Sequence, residues 1–150
     1  NALLKSKAYI MPFIDVKKED PAFEAMQRSG ATGMLKGYGI AYKWANQTWF
    51  YPDRIVSEHE FKTGLLPYFP ELEKTAASGA GITLPFFIAM VKVLQPKFLI
   101  ESIQKKWSDW QIAQPYNETS ELNRRTISIL TDAVLKPFDM EVDWDGKLER

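Results

Sequence analysis

Phe13-Ile14-Asp15-Val16, Pro21-Ala22-Phe23-Glu24-Ala25-Met26, Gly33-Met34-Leu35-Lys36-Gly37-Tyr38, Phe50-Tyr51-Pro52 and Ile55-Val56-Ser57-Glu58-His59-Glu60-Phe61 follow one another in this order. Each piece has a local physical reading. Pro21 favours a helix start, Phe23, Met26 and Gln27 lie at helical spacing, and Gly30 ends that helix. Gly30, Gly33, Gly37 and Gly39 make a tight turn region, and residues 40–54 read as a long loop carrying Tyr42, Trp44, Trp49, Phe50 and Tyr51. Ser57 and Glu60 form a capping box, in which the serine oxygen accepts the free amide at N3 and the glutamate reaches back. Phe61 and Leu65 give the helix its apolar stripe, and Pro67 stops it.

Outward from this stretch, residues 70–81 are polar and glycine-containing and read as an exposed connection. Thr83 caps a helix that tolerates Pro85 in its first turn and buries Phe86, Phe87, Met90, Val91 and Leu94. Ile100, Ile103, Trp107 and Trp110 mark another, and a last helix runs from about Asn123 to Leu135 with Ile127, Leu130 and Val134 inward. The tail alternates, Phe138, Met140, Val142 and Trp144 against Asp139, Glu141, Asp143 and Asp145, which predicts a half-buried strand pairing with Tyr9-Ile10-Met11. The expectation is one domain over residues 1–150, mainly α, a bundle of about five helices with a small β element joining the termini. Ile82-Thr83-Leu84-Pro85-Phe86 and Leu122-Asn123-Arg124-Arg125-Thr126 echo the helix start at Val56-Ser57-Glu58-His59-Glu60, so candidate internal repeats span 13–66 and 82–136.

Composition closes several doors. Nineteen basic residues balance nineteen acidic ones in the 150-residue chain, so no long-range field draws it to nucleic acid. There is no cysteine for a disulfide framework, and the single histidine, His59, cannot build a zinc site of the usual ligand types. The longest apolar run, Ile82 to Leu94, is broken by Pro85 and Lys92 and falls short of the roughly 20 residues of a membrane span. The opening Ala2-Leu3-Leu4-Lys5-Ser6-Lys7 reads as the end of a longer helix, and so as part of a larger protein.

Chemistry-bearing patterns are few. Glu141, Asp143, Asp145 and Gly146 resemble the opening of a calcium loop, but the chain ends at Arg150, before the bidentate acid that loop requires. Gly37-Tyr38-Gly39 and Gly79-Ala80-Gly81 fail as dinucleotide fingerprints, because Tyr42 and Leu84 occupy the final glycine positions. His59 reads as a plain surface or capping histidine, and Arg124 and Arg125 as solvated helix residues. The loop from Tyr42 to Tyr51 is the exception, because it mixes flat aromatic faces with side-chain amides. Pyranose C–H faces pack on rings while amides pair with hydroxyls in both directions. Its candidate sugar-contacting residues are Trp44 and Trp49 as platforms, Asn46 and Gln47 as readers, then Tyr51, with Arg54 at the edge.

The succession from Phe13 to Leu65 resembles a bacterial S-layer homology (SLH) repeat, which runs through an F-x-D-V entry, an A-x-x-A-I helix, a G-I-x-x-G-Y turn, an F-x-P piece and a T-R-A-E-F helix start. That resemblance implies a helical module that holds surface proteins on glycans and does no chemistry. It also implies an arginine directed at acidic wall glycans. Here the corresponding positions hold Glu58, Leu84 and Arg124, so the likeness speaks more for the fold than for the ligand. A second resemblance covers nearly the entire chain. Ala8-Tyr9-Ile10-Met11-Pro12-Phe13, Gln27-Arg28-Ser29-Gly30-Ala31-Thr32-Gly33, Trp44-Ala45-Asn46-Gln47-Thr48-Trp49-Phe50-Tyr51-Pro52-Asp53 and Asn123-Arg124-Arg125-Thr126-Ile127 are similar to the C-terminal region of bacterial FAD-dependent oxidoreductase-like proteins that carry a xanthan lyase label. It implies a parent whose FAD site lies upstream, with this chain as its accessory tail.

The expectation is therefore a non-catalytic accessory domain, periplasmic or at the cell surface, that binds a glycan or surface polymer and serves its own N-terminal catalytic domain. No cofactor or metal is expected within the chain itself. The alternative is a structural domain packing on the flavin domain or mediating oligomerisation. A polysaccharide lyase using Tyr51 as base, with Asn46 and Arg54 neutralising a uronate, ranks third.

Overall fold

Three helix starts that resemble one another in sequence meet in space. In a computed structural model describing residues 2–139, 141 and 143–145, the α-helices are α1 (Ala2–Lys5), α2 (Phe23–Ala31), α3 (Glu58–Leu65), α4 (Leu84–Leu94), α5 (Glu101–Lys106) and α6 (Arg124–Leu130). The strands are β1 (Tyr38–Tyr42) and β2 (Ala45–Trp49). The segments entering α3, α4 and α6 form a closed cycle of main-chain hydrogen bonds. Val56 N–H donates to the Leu122 carbonyl at 3.1 Å, Leu122 N–H to Ile82 at 2.8 Å, and Ile82 N–H to Val56 at 2.8 Å. Ile55 bridges Asn123, Ser57 bridges Gly81 and Thr83 bridges Glu121 around the same ring. The Val56, Ile82 and Leu122 side chains are all buried at its centre. Each bond contributes about 1 kcal/mol net, so the burial of the three apolar side chains matters at least as much.

The ring also satisfies helix N-termini. Glu58 and His59 N–H donate to the Ala80 and Ser78 carbonyls at 2.9 Å each, and Arg124 and Arg125 N–H to Arg54 and Pro52, again at 2.9 Å. Ser57 and Asn123 side chains cap their helices by accepting the Glu60 and Thr126 amides at 3.1 and 2.9 Å. Thr83 makes no such bond, and at α4 Pro85 has no N–H to satisfy. Of the expected capping box only the serine half forms, because Glu60 turns instead toward Arg124.

The expected five-helix bundle with a β element at the termini is not what forms. Among the described residues, six helices, four of them seven residues or longer, combine with a two-stranded antiparallel sheet; 40% of residues are helical and 12% extended. This is a mixed α/β arrangement of short helices. The sheet spans the end of the glycine-rich turn and most of the expected loop: Tyr38 pairs with Trp49, Ile40 with Gln47 and Tyr42 with Ala45, closing on Lys43 and Trp44. Lys43 adopts φ 50°, where glycine or asparagine is the usual choice, so the turn carried no sequence signal.

The termini are not joined by strands among the described residues. Residues Ile10 and Met11 are held by a side chain, the buried Gln27 of α2, whose oxygen accepts both N–H groups at 2.8 and 2.7 Å and whose amide donates to the Met11 carbonyl at 3.1 Å. α6 runs on through a π turn at Thr131–Leu135, and Pro137–Asp139 form a 3-10 turn that includes Phe138, the first residue of the expected strand. Met140 and Val142 of the alternating tail lie outside the described residues, as does Gly146 of the calcium-loop comparison.

Phe13 fixes the hairpin to the helical part. Its backbone bridges Thr48 of β2, and Ile14 N–H donates to the Thr48 carbonyl at 3.0 Å. The Phe13 ring lies against Gly30 and Gly37; a Cβ on Gly37 would sit 2.6 Å from the ring, which explains a glycine there without any appeal to backbone freedom. Asp15 accepts the Phe50 and Tyr51 amides at 2.8 and 2.7 Å. Those two bonds hold Tyr51 in the left-handed region at φ 56°.

α2 packs on α6, and the seam carries an ion pair between Arg28 and Asp132 at 2.5 Å. Burial pushes the Asp132 carboxyl above the usual range, with Arg28 opposing. A carboxyl whose folded-state pKa is raised contributes stability that is fully present below its unfolded value, 3.8, and is lost as pH rises through the folded value. Asp132→Asn is therefore expected to flatten the stability profile above that pH. Arg28→Met should cost about 1–2 kcal/mol at neutral pH and less in acid, where Asp132 is protonated. Urea midpoints at acid and neutral pH check both, and an Arg28→Met deficit that grows in acid would be the wrong sign.

Candidate functional site

The hairpin and the turn after it build a layered cluster of rings and guanidinium groups. Trp49 and Tyr51 stack with centroids 5.7 Å apart and planes at 16°, and Tyr51 also meets Tyr38 at 5.5 Å. Arg54 covers the Tyr38 ring at 4.7 Å, and Arg124 lies 5.3 Å from the same ring and 4.5 Å from Phe50. Tyr51 can fold back onto Trp49 because of its left-handed backbone.

Arg124 is the structural post of this cluster. Its side chain is completely buried, donating to Glu60 Oε1 at 2.6 Å and to the Lys36 carbonyl at 2.6 Å. Burial lowers its pKa and Glu60 opposes that shift. Arg125 is partly buried and paired with Asp20 at 3.1 Å and Asp53 at 3.4 Å. The expectation that both arginines are solvated helix residues is thus corrected. Their partners are distant in sequence and invisible in it.

Beside Tyr38 opens a groove of about 790 Å³. The turn 32–38 forms one wall and α3 the other, with Lys36, Tyr38, Arg54, Ser57, His59 and Thr63 on its surface. Glu60 lines it too, but is shared between Arg124 and Arg54, the latter at 3.7 Å. Its acceptor charge is therefore already engaged, and the groove presents cationic and hydroxyl groups around one aromatic face. Gly64 keeps the walls close, because a Cβ there would meet the Met34 backbone. Glu58, at the position where the resemblance calls for arginine, turns away to bind Ser78 N–H and Oγ at 2.9 and 2.6 Å.

The residues expected to contact sugar are divided by this geometry. Trp44 stands at the hairpin tip, 93% exposed. Asn46 and Gln47 are neighbours on β2, so they face opposite sides of the hairpin; Gln47 shares its face with Trp49, Tyr38 and Ile40, while Asn46 lies on the other. Trp49 and Tyr51 are half-buried against each other, and Arg54 is exposed at the groove mouth. The structure thus gathers Gln47, Trp49, Tyr51 and Arg54 near Tyr38, and separates Asn46 and Trp44 from them. For the lyase arrangement this puts Asn46 on the face away from Trp49, the ring on which Tyr51 stacks.

Sequence reasoning missed Lys36, Tyr38, Ser57, His59 and Thr63 as groove residues. The one available signal was Gly64, a glycine inside a helix, which marks the close approach of α3 to the Met34 backbone. Among the described residues no cluster of three or more His, Cys, Asp or Glu side chains is placed to hold a metal ion, and no helix is long and apolar enough to cross a membrane. Set against known protein families, curated proteins and solved structures, the chain finds no match in any of the three.

Proposed function

We propose that this chain is a non-catalytic accessory domain that binds a glycan or surface polymer on behalf of a larger protein, through the groove beside Tyr38 rather than through the hairpin tip alone. The observation that carries this reading is the combination of the half-buried Tyr38 ring, covered by Arg54, with Lys36, Ser57, His59 and Thr63 around a cleft of about 790 Å³. Saccharides are held by this combination of ring faces and mixed donors and acceptors. The resemblances to SLH modules and to the tails of FAD-dependent oxidoreductase-like proteins agree with it. They imply a periplasmic or cell-surface location, and FAD chemistry in the parent.

The test is a glycan array covering neutral and acidic oligosaccharides, followed by titration of the best binder. Arg54→Ala, a half-exposed side chain, should weaken binding about tenfold, which is ~1.4 kcal/mol, with the fold unchanged by circular dichroism. Trp44→Ala should weaken it less, because the ring stands at the tip. Failure of the intact domain to bind any glycan sinks this reading. A structural tail that packs on its parent would then stand in its place, since the same exposed aromatics suit that role.

A further inference from the structure

The outer edge of β1, which begins at Tyr38 of the groove wall, leads to a further inference. Among the described residues β1 pairs with β2 alone, whereas the far edge of β2 is met by Phe13 and Ile14. Tyr42 and Ala45 close a two-residue turn, so Tyr38, Ile40 and Tyr42 direct their N–H and C=O groups toward β2. Gly39 and Ala41 direct theirs outward. Natural edges are usually blunted by proline, lysine or a bulge. Tyr38-Gly39-Ile40-Ala41-Tyr42 has no proline and no charged side chain, and it pairs with β2 in unbroken register. Ile40 and Tyr42 are 41% and 50% exposed.

We propose that this edge pairs with the same edge of a second copy, antiparallel about a twofold axis at Ile40, giving a weak dimer. The segment is self-complementary in that register. Gly39 falls opposite Ala41 of the copy, so the outward-directed groups of each residue meet those of the other in two mutual pairs of hydrogen bonds. Ile40 falls opposite Ile40, and Tyr38 opposite Tyr42, in the non-hydrogen-bonded positions where side chains approach most closely. Small residues occupy one face and large apolar ones the other, identically from both copies. Charge agrees as well: the chain has no net charge to oppose self-association.

The area involved sets the strength. One five-residue strand pair with its flanks lies below the roughly 1,200 Å² at which stable interfaces begin, so the dimer is concentration-dependent rather than permanent.

The experiment is sedimentation velocity of the whole chain over a wide concentration range, with amide spectra recorded on dilution. Expected are a shift toward dimer on concentration and dilution-dependent changes centred on the Gly39 and Ala41 amides. Ala41→Pro removes an outward donor that β2 does not use, and proline is tolerated at such edge positions. Ile40→Lys places two ammonium groups face to face at the axis. Each variant, with its circular dichroism unchanged, should weaken self-association at least tenfold. A wild-type chain that stays monomeric throughout overturns the proposal. So do dilution changes centred elsewhere, or association untouched in a folded Ile40→Lys. A monomer whose Gly39 and Ala41 amides respond to an added extended peptide would overturn it too, assigning the edge to a foreign strand.

Discussion

Arg124→Met is expected to lower stability by about 3–5 kcal/mol, a drop in Tm on the order of 10 °C. The cost does not come from the ion pair alone. The buried guanidinium answers Glu60, satisfies the Lys36 carbonyl and fills the space between the Phe50 and Tyr38 rings. Methionine replaces the volume of the stem and none of the hydrogen bonds, leaving Lys36 O without its donor and Glu60 with Arg54 only, at 3.7 Å. Arg124→Lys retains the charge without the planar fork and should fall between the two. Because Glu60 and Arg124 act together, Glu60→Gln on top of Arg124→Met should add less than it costs alone. Chemical denaturation of the wild type and these four variants measures this, and a loss below about 1 kcal/mol for Arg124→Met would show that the post carries little weight.

Gly64→Ala tests the same wall of the groove from its other side. In a solvent-exposed helix this substitution stabilises by about 1 kcal/mol. Here the new Cβ would overlap the backbone carbonyl of Met34, which cannot rotate away as a flexible side chain would. The turn 33–35 or α3 must move, at a cost of about 3 kcal/mol or more. Gly79→Ala is the control: nothing lies within 4 Å of its added Cβ, and its effect should stay within about 0.5 kcal/mol. The reversal of sign between helix propensity and measured stability is the diagnostic result, read from urea midpoints of both variants. Equal stabilities would mean that α3 and the turn are not tightly apposed.

The parts of the fold written locally were legible. Ser57 caps where sequence places it while Thr83 makes no capping bond, Gly33 takes φ 76° in the glycine-rich turn, and Phe61, Leu65, Phe87, Met90, Val91 and Ile127 are buried as their spacing requires. What failed depends on partners far along the chain. The hairpin lacks a glycine-type turn, so nothing in the residues of 40–54 marks it off from a loop. Gln27 stands in for a strand neighbour of residues 10 and 11, an arrangement that no periodicity announces. The alternation at the tail suggested a strand where Phe138 instead enters a 3-10 turn. At the candidate site the composition of the aromatic loop was visible, but strand alternation sends Asn46 and Gln47 apart, and the groove draws its other wall from α3.

The ring of helix starts has a consequence for how this chain tolerates change. Its three closing bonds run between main-chain atoms of Val56, Ile82 and Leu122, so they do not depend on which side chains follow. Glu58, Leu84 and Arg124 can occupy equivalent places and serve unrelated ends without loosening the junction. The excursions between junction segments are equally free to differ in length, since doubling a flexible excursion adds only about 0.6 kcal/mol of closure entropy. Insertions at the exposed turn 117–119 should therefore be absorbed cheaply, leaving that turn the natural place for divergence, or for grafting a new function, while the hub stays fixed.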